Sequence, residues 1–513
     1  MRLGLHRLHL TSRLAIIAAA LAGLAFGQFN CSIQGIVTDP TGAVVPDANV
    51  VVTHLETGIK RDAKTASDGL YRVISLGPGT YRVEVTANGF QSVNRTGIVV
   101  GITETVRVDF ALQVGATKDS ITVVANENEI ETEKAANSSV FTQEAIKDMP
   151  VNGNNIYELL ALQPGVTGRG FTYSGGANAN APFGSHPTVA IYASGARGDS
   201  NSFMVDGASA SGVADGGTVT IQPNPDSVEE LKVNSNTYST EYGRNSGAQV
   251  EVVTKGGTNQ FHGGGFENFT NNTLSARNEF TAKLSPFRRN QFGYQLGGPI
   301  KKNRLFFFTS YDGLRAGGGQ AGVATVETQA FANFVEQTYP NSIAAKLFSQ
   351  FQPVSYPTYN FKNLGSPVAG SPTAVGPSNG IMTVGSVNYV PDVVYTGNQY
   401  SGRIDYDLIP EKDRLFVNYY NMHSVELTGG ARPAFNRPED DYDELLSFNE
   451  THIFSPTQIN EFKFGLNRTA AGSVYPPNLE VPTISISGGV TGFGLSGQFP
   501  AGWYQTEFRF LPL

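Results

Sequence analysis

Polar and apolar residues alternate along much of the C-terminal half of the chain. From Asn290 to Gly297, Phe292, Tyr294 and Leu296 fall on one face, and Gln291, Gly293, Gln295 and Gly297 on the other. From Gln399 to Leu408, Tyr400, Ile404, Tyr406 and Leu408 oppose Gln399, Arg403, Asp405 and Asp407. From Glu461 to Asn467, Phe462, Phe464 and Leu466 oppose Glu461, Lys463 and Asn467; Tyr504, Phe508 and Phe510 oppose Gln505, Glu507 and Arg509. A period of two is that of a strand with two unlike faces. A strand between lipid and a wet lumen needs that pattern, but a half-buried strand of a soluble sandwich shows it too. Connection lengths separate the two readings. The turns at Gly298–Asn303, Ile409–Lys412 and Ser455–Thr457 are short, whereas the connections at about 273–289, 314–397, 424–441 and 470–499 are long. Strict alternation of short turns and long loops predicts a transmembrane barrel wall, with roughly eight strands by position 513. Leu305–Phe308 is a continuous apolar run, and Gln260–Phe269 is mostly Gly and Phe, so two strands are less clean.

The N-terminal half is patterned differently. Short β-prone runs (Val50–Thr53, Tyr71–Ile74, Tyr81–Val85) are separated by the turn signals Asp39-Pro40-Thr41-Gly42, Ser67-Asp68-Gly69 and Gly77-Pro78-Gly79. That spacing predicts an Ig-like β-sandwich over 30–115. Residues 116–126 form a short linker strand. Asn155–Leu162 reads as a short helix stopped by Pro164 and Gly165.

The first residues read as an export signal. Arg2, Arg7 and Arg13 precede the apolar run Leu14–Phe26, and small residues place the cut after Gly27, giving a signal peptide over 1–27. The run is shorter than the ~20 residues a membrane helix needs. Charged residues are only 16%, with 58 Gly and 11% aromatics. A cytosolic enzyme carries nearer a quarter charged residues, whereas outer-membrane barrels combine lipid-facing apolar residues with aromatic girdles. The net charge of −8 argues against nucleic acid as a partner. Cys31 is the only cysteine, so no internal disulfide forms. Gln28 and Asn30 depart from a lipid-attachment signal, leaving Cys31 as an incidental thiol near a loose N-terminus.

Several segments carry a family resemblance. Gly35–Asp39, Val45–Ala48, Asp68-Gly69 with Tyr71, Leu76 with Pro78-Gly79 and Tyr81, and Gly89-Phe90 resemble the carboxypeptidase regulatory-like domain, an accessory module whose name does not imply peptidase activity. Asp119-Ser120-Ile121-Thr122-Val123-Val124-Ala125 resembles a TonB box: an unpaired, β-branched segment can add as an edge strand to a partner sheet. Its alternative is one more strand of the sandwich. Arg197-Gly198, Val205-Asp206-Gly207, Pro225–Val233, Tyr238–Arg244 and Gly247–Asn259 follow the order of a plug domain and its junction with the barrel. Arg289–Tyr294, Leu296–Ile300, Leu305–Phe308 and Ser310–Gly313 resemble first barrel strands. Together these are similar to TonB-dependent outer-membrane transporters of the Oar-like group. The resemblance implies a mainly β chain: sandwich over 30–115, TonB-box-like linker over 116–126, α+β plug over 127–256, and the first strands of an incomplete transmembrane antiparallel β-barrel over 257–513. The family's barrels have about 22 strands, so the sequence reads as an N-terminal fragment.

No catalytic constellation is expected. The seven histidines show no metal-ligand spacing, and there is no P-loop and no Gly-x-Ser-x-Gly elbow. No cofactor and no metal are expected. Glu439–Glu444 is an acidic cluster placed in an extracellular loop, read as solvated rather than as a cation site. Gly168–Gly184 resembles an apical plug loop. The resemblance implies active uptake of an extracellular ligand (siderophore, oligosaccharide or peptide) into the periplasm, driven by a TonB-type energy-coupling complex gripping Ile121–Ala125. It implies no nucleic-acid partner. Arg197, Asp206, Glu229 and Glu230 are the expected polar network of the plug, which must yield under force yet stay satisfied at rest. A competing reading is a non-transporting outer-membrane surface protein that binds glycan or matrix through the sandwich and loops.

Overall fold

The computed structural model describes residues 31–102, 104–115, 120–124, 137–149, 155–172, 188–212, 217–236, 238, 243, 246–274, 276, 287–318, 322–363, 381–390, 393–455, 458–473 and 502–512. The signal at 1–27, Asp119, Ala125 and much of the 168–184 loop lie outside them.

The first unit is a two-sheet sandwich. One sheet pairs Leu70–Leu76, Cys31–Thr38 and Thr105–Arg107, with Phe110–Ala111 also on Cys31–Thr38. The other runs Lys60–Lys64, Asn49–His54, Gly79–Thr86, Ser92–Val100, Ser120–Val124. Alternate residues meet between the sheets: Ile33, Val37, Val50, Val52, Tyr71, Tyr81, Val83 and Val85 are all buried. Each such aliphatic side chain contributes about 1.5–3 kcal/mol of transfer free energy. The two tyrosine hydroxyls are satisfied, Tyr71 donating to the Val108 carbonyl at 2.6 Å and Tyr81 to that of Gly77 at 2.7 Å. Gly35 is required by packing: a Cβ there would stand 1.9 Å from the Val108 oxygen. Cys31 is fully buried at the start of the first strand, with its thiol donating to the Gly101 carbonyl, so it is a core residue and not a loose terminal thiol.

Ser120–Val124 corrects the expectation of an unpaired linker. It lies parallel to Ser92–Thr96 as the last strand of the second sheet. Its β-branched run fits a pleated sheet, and among the described residues this last strand has one edge unpaired.

The second unit is a five-stranded sheet in the order Asn137–Thr142, Val228–Asn236, Gln249–Thr254, Ser202–Val205, Ala208–Ser209. Thr142 caps the helix Gln143–Asp148. The segment read as a helix is a tight 3-10 turn over Ile156–Leu162, capped by Asn155. Gln249–Thr254 is buried along its whole length, as befits a central strand covered on both faces.

The third unit is an eight-stranded antiparallel sheet: His262–Asn271, Phe287–Lys301, Leu305–Gly318, Val393–Ile409, Asp413–Thr428, Arg437–Ser455, Gln458–Ser473, Gly502–Pro512. Spatial order equals chain order, and connections alternate short and long as expected. Phe292, Tyr294, Leu296, Tyr400 and Ile404 are solvent-exposed on the outer face, while Gln291, Gln399, Arg403 and Asp405 are buried on the inner one. One loop is shorter than expected: the fifth strand ends at Thr428 and the sixth begins at Arg437. The Glu439–Glu444 cluster therefore lies within a strand and not in a loop. Asp441 and Asp443 are buried, whereas Glu444 meets Tyr419 and Arg468.

The long excursion between the third and fourth wall strands carries its own small unit. Gly322–Glu327, Thr383–Tyr389 and Tyr359–Asn363 form a sheet. The helices Gln329–Thr338 and Ile343–Gln350 pack against it through Phe331, Val335, Phe348 and Val384.

Candidate functional site: the junction of plug, wall and sandwich

The junction centres on a two-residue turn. Val205 pairs with Ala208, so Asp206-Gly207 closes a hairpin with both residues at positive φ (47° and 80°). Asp-Gly suits this mirror-type turn because both positions need left-handed backbone. The turn aims the Asp206 carboxylate at the end of the neighbouring strand. There it accepts from the Thr254 amide at 3.0 Å and the Thr254 hydroxyl at 2.6 Å.

The remaining partners come from the wall. Asp206 accepts from Arg403 Nη1 at 3.3 Å and from Asn418 Nδ2, and its carbonyl accepts from the Ser447 hydroxyl. These wall residues form one row: register pairs Arg403 with Asn418, Asn418 with Ser447, and Ser447 with Gly465. Gly465 ends the row beside the turn, where a Cβ would come within 3.2 Å of that of Ala208. Arg403 is held by Asp405 through a two-pronged pair (2.8 and 2.9 Å), donates to the Thr254 carbonyl at 2.8 Å and lies over the Phe416 ring. Asp206 is thus a buried charge with a cation and three further donors, the condition under which burial of a carboxylate is tolerated.

Other plug segments are tied in the same polar manner. Asn224 and Gln291 both donate to Asp312, Gln399 donates to the Gln222 carbonyl, and Thr220 and Asn467 bond each other. One apolar patch complements them: wall residues Leu314, Tyr395, Tyr420, Met422 and Leu445 join the plug's own core.

The other predicted network residues divide. Arg197 is exposed and pairs locally with Asp199 at 2.7 Å. Glu230 is buried but faces the sandwich: both its oxygens accept from the Ile102 amide at 3.0 Å, and Lys232 beside it donates to the Ile102 carbonyl at 2.7 Å. Glu229, next in sequence, points into a cavity of about 760 Å³. So Asp206 alone of the four holds plug to wall. Arg403, Asn418 and Ser447 were missed as partners, and of the three only Arg403 was placed on a polar face by the alternation.

That cavity lies where the three units meet. Sandwich turns His54–Thr57 and Gly77–Tyr81, plug residues Glu229 and Lys255, and wall residues Gln295, Asp405 and Arg414 line it. Burial dominates the titration of its margins. It raises the Glu229 carboxyl and lowers Lys255. Burial also lowers His54 to about 4, with Arg414 adding to the effect. The neutral His54 ring meets the Glu56 and Thr57 amides and packs edge-on against Tyr81.

Glu230 gives a pH prediction. Burial raises its carboxyl from 4.5 to about 7, against the opposing pull of the Ile102 amide and Lys232. A raised carboxyl favours the folded state while protonated. Its contribution is complete below pH 4.5 and is lost as pH rises through about 7, on the order of 3 kcal/mol. His54 has the opposite sign: its contribution is present above 6.5 and is lost as pH falls toward 4. The melting temperature of wild type minus that of Glu230→Gln should therefore fall between pH 4.5 and 7. A flat difference over that window refutes the assignment.

Register also groups residues that sequence spacing did not. Asp413 opposes His452, and Glu450 lies two residues along the same strand; their ligand-type atoms are within 4.8 Å of one another.

The chain matches three described families: outer membrane beta barrel domain over 253–510, carboxypeptidase regulatory-like domain over 32–113, and TonB-dependent receptor plug domain over 131–250. It is 28% identical over 312 residues to the TonB-dependent transporter Oar of Myxococcus xanthus, covering 58% of this chain and 28% of that protein. Among solved structures it resembles the siderophore receptor PirA of Acinetobacter baumannii at 15% identity and TM-score 0.42, covering 74% of this chain and 45% of that one. It also resembles a ferric enterobactin receptor variant of Pseudomonas aeruginosa at 14% identity and TM-score 0.41, covering 73% and 46%. The chain spans less than half the length of each of these relatives.

Proposed function

This chain belongs to the outer-membrane β-barrel family of TonB-dependent transporters, and from that membership we propose that it serves energised uptake of an extracellular ligand into the periplasm. The observation that carries the reading is how the plug is held. Beside the apolar patch at Leu314, Tyr395, Tyr420, Met422 and Leu445, its sheet is tied to the wall by hydrogen bonds and one buried ion pair, which exchange for bonds to water when the plug moves. An apolar plug–wall seam would instead have to expose its whole area at once. The chain has no need to bind a nucleotide, because the work is done on it by a TonB-type partner.

The grip is the segment from Asp119 to Ala125. Its Ser120–Val124 strand ends a sheet, so a partner strand can pair along the open edge. Main-chain bonds loaded together then bear a pull toward the inner membrane. Siderophores, oligosaccharides and peptides are the ligand classes in play.

Deleting residues 119–125 from the full protein should abolish whole-cell accumulation of a labelled ligand while surface binding persists. Undiminished accumulation would overturn the proposal. If accumulation is unchanged while adhesion to glycan or matrix is lost, a non-transporting surface protein takes its place.

A further inference from the structure

We propose that the sandwich is an exit gate: it closes the periplasmic mouth of the lumen, and the Ser120–Val124 strand is the handle that draws it aside. This rests on the transport reading above.

Three sets of contacts dock the sandwich. Against the wall, Arg61 pairs with Asp407 at 3.1 Å, both nearly excluded from solvent. At the hairpin end of the wall, the Asn259 amide donates to the Glu56 carbonyl at 3.1 Å and its side chain to the Thr57 carbonyl at 2.6 Å. Against the plug, Glu230 and Lys232 grip both ends of the Ile102 peptide. A spacer on a tether would have no reason to bury an ion pair 346 residues apart in sequence. A carboxylate half of such a pair is costly to leave unpaired, so the docked position is specific.

The cavity of about 760 Å³ lies where this docking brings the three units together. Its roof is the plug and its side is the inner wall. Its floor is the sandwich, through the His54–Thr57 turn and Gly77–Tyr81. A ligand leaving the lumen past a shifted plug enters this vestibule and meets that floor. The walls are mixed in charge (Glu229, Lys255, Asp405, Arg414), which suits transit better than retention, since no single sign holds the cargo.

The handle is built into the gate. Ser120–Val124 pairs in parallel with Ser92–Thr96 of the sandwich itself. A pull on this strand therefore loads the sandwich before it loads the plug, whose first described strand begins at Asn137. The docking contacts are polar and few, so they yield earlier than the sandwich core.

The test uses the full-length protein in energised cells, in a Cys31→Ala background, with a maleimide small enough to enter the periplasm. Gln295→Cys puts a thiol on the vestibule wall, and Ser209→Cys puts one in the plug. Labelling is read by mass spectrometry at each position. Gln295→Cys should label about tenfold faster with proton-motive force than without it, and the gain should vanish on deleting 119–125. Gly58→Cys with Asn303→Cys offers a lock where the two turns meet: a Cβ at Gly58 would stand 2.5 Å from the Asn303 side-chain oxygen, so the turns, both at positive φ, must shift to take the bridge. Oxidation should hold Gln295→Cys at its resting rate and reduction should restore the response. Arg61→Ala with Asn259→Ala should raise the resting rate to near the energised one, which tests the gate even if the lock does not form. If Ser209→Cys responds to energy while Gln295→Cys does not, the plug moves without the sandwich and the gate is refuted. If neither responds, the transport reading itself fails.

Discussion

Asp206→Ala should release the plug from the wall while leaving the wall intact. The substitution removes the acceptor of the Thr254 amide and hydroxyl, of Asn418 and of one Arg403 bond. It leaves a buried amide orphaned and a buried guanidinium with Asp405 as its remaining carboxylate partner within the row. Breaking a buried charge pair from one side costs about 3–5 kcal/mol. Alanine is also poorly suited to φ 47°, adding about 1 kcal/mol. Hydrogen exchange at the Gln249–Thr254 strand should accelerate by about a hundredfold or more, since each ~1.4 kcal/mol is tenfold. Asp206→Asn, which tolerates the left-handed turn but lacks the charge, should fall between. Unchanged exchange in Asp206→Ala would show that the plug is held elsewhere.

Arg432→Ala should unfold the small unit over 322–389 without touching the wall. Arg432 comes from the neighbouring loop and is fully buried against Glu327, which is equally buried. Its guanidinium makes two bonds to that carboxylate and one to the Phe351 carbonyl. With alanine there, Glu327 must either ionise without a cation or draw in water through the Phe331–Phe348 core. The expected loss, roughly 3–5 kcal/mol, exceeds what so small a core supplies in surplus. Limited proteolysis should cut within 322–389 while the folded wall keeps its electrophoretic mobility. The double substitution Arg432→Met with Glu327→Leu removes both charges and should recover most of the resistance. If the single substitution resists protease like wild type, the pair does not secure the unit.

The wall was legible because its chemistry repeats every two residues: Gln399, Arg403 and Asp405 were placed on one face by parity alone, and they lie inward. The Asp206-Gly207 element was legible through the family resemblance of Val205-Asp206-Gly207. Its partners were not, because Arg403, Asn418 and Ser447 become neighbours only through the register of three strands. Parity also explains the error at Glu439–Glu444. Charge density suggested a loop, yet Asp441, Asp443, Leu445 and Ser447 continue one buried face of the same strand. Strands that rise beyond the lipid carry charge on both faces, so charge does not mark their end. Ser120–Val124 is ambiguous for a physical reason: a segment that suits a partner's sheet edge suits its own sandwich equally.

The order of the wall strands has a consequence for how the molecule is built. Each wall strand pairs with the next wall strand, so the sheet can zip strand by strand; the hairpins are short-range, entropically cheap closures, and the third and fourth strands meet across the small unit between them. The ties from plug to wall are of another kind, joining two separate units through residues 88 to 256 apart. They can complete only once the wall strands stand beside the plug. Until then their donors and acceptors are held by water, which a polar seam permits and an apolar one would not. The hydrogen-bonded part of the seam therefore stays hydrated while a half-wrapped plug waits for its wall, and only the patch that Leu314, Tyr395, Tyr420, Met422 and Leu445 will cover is left sticky.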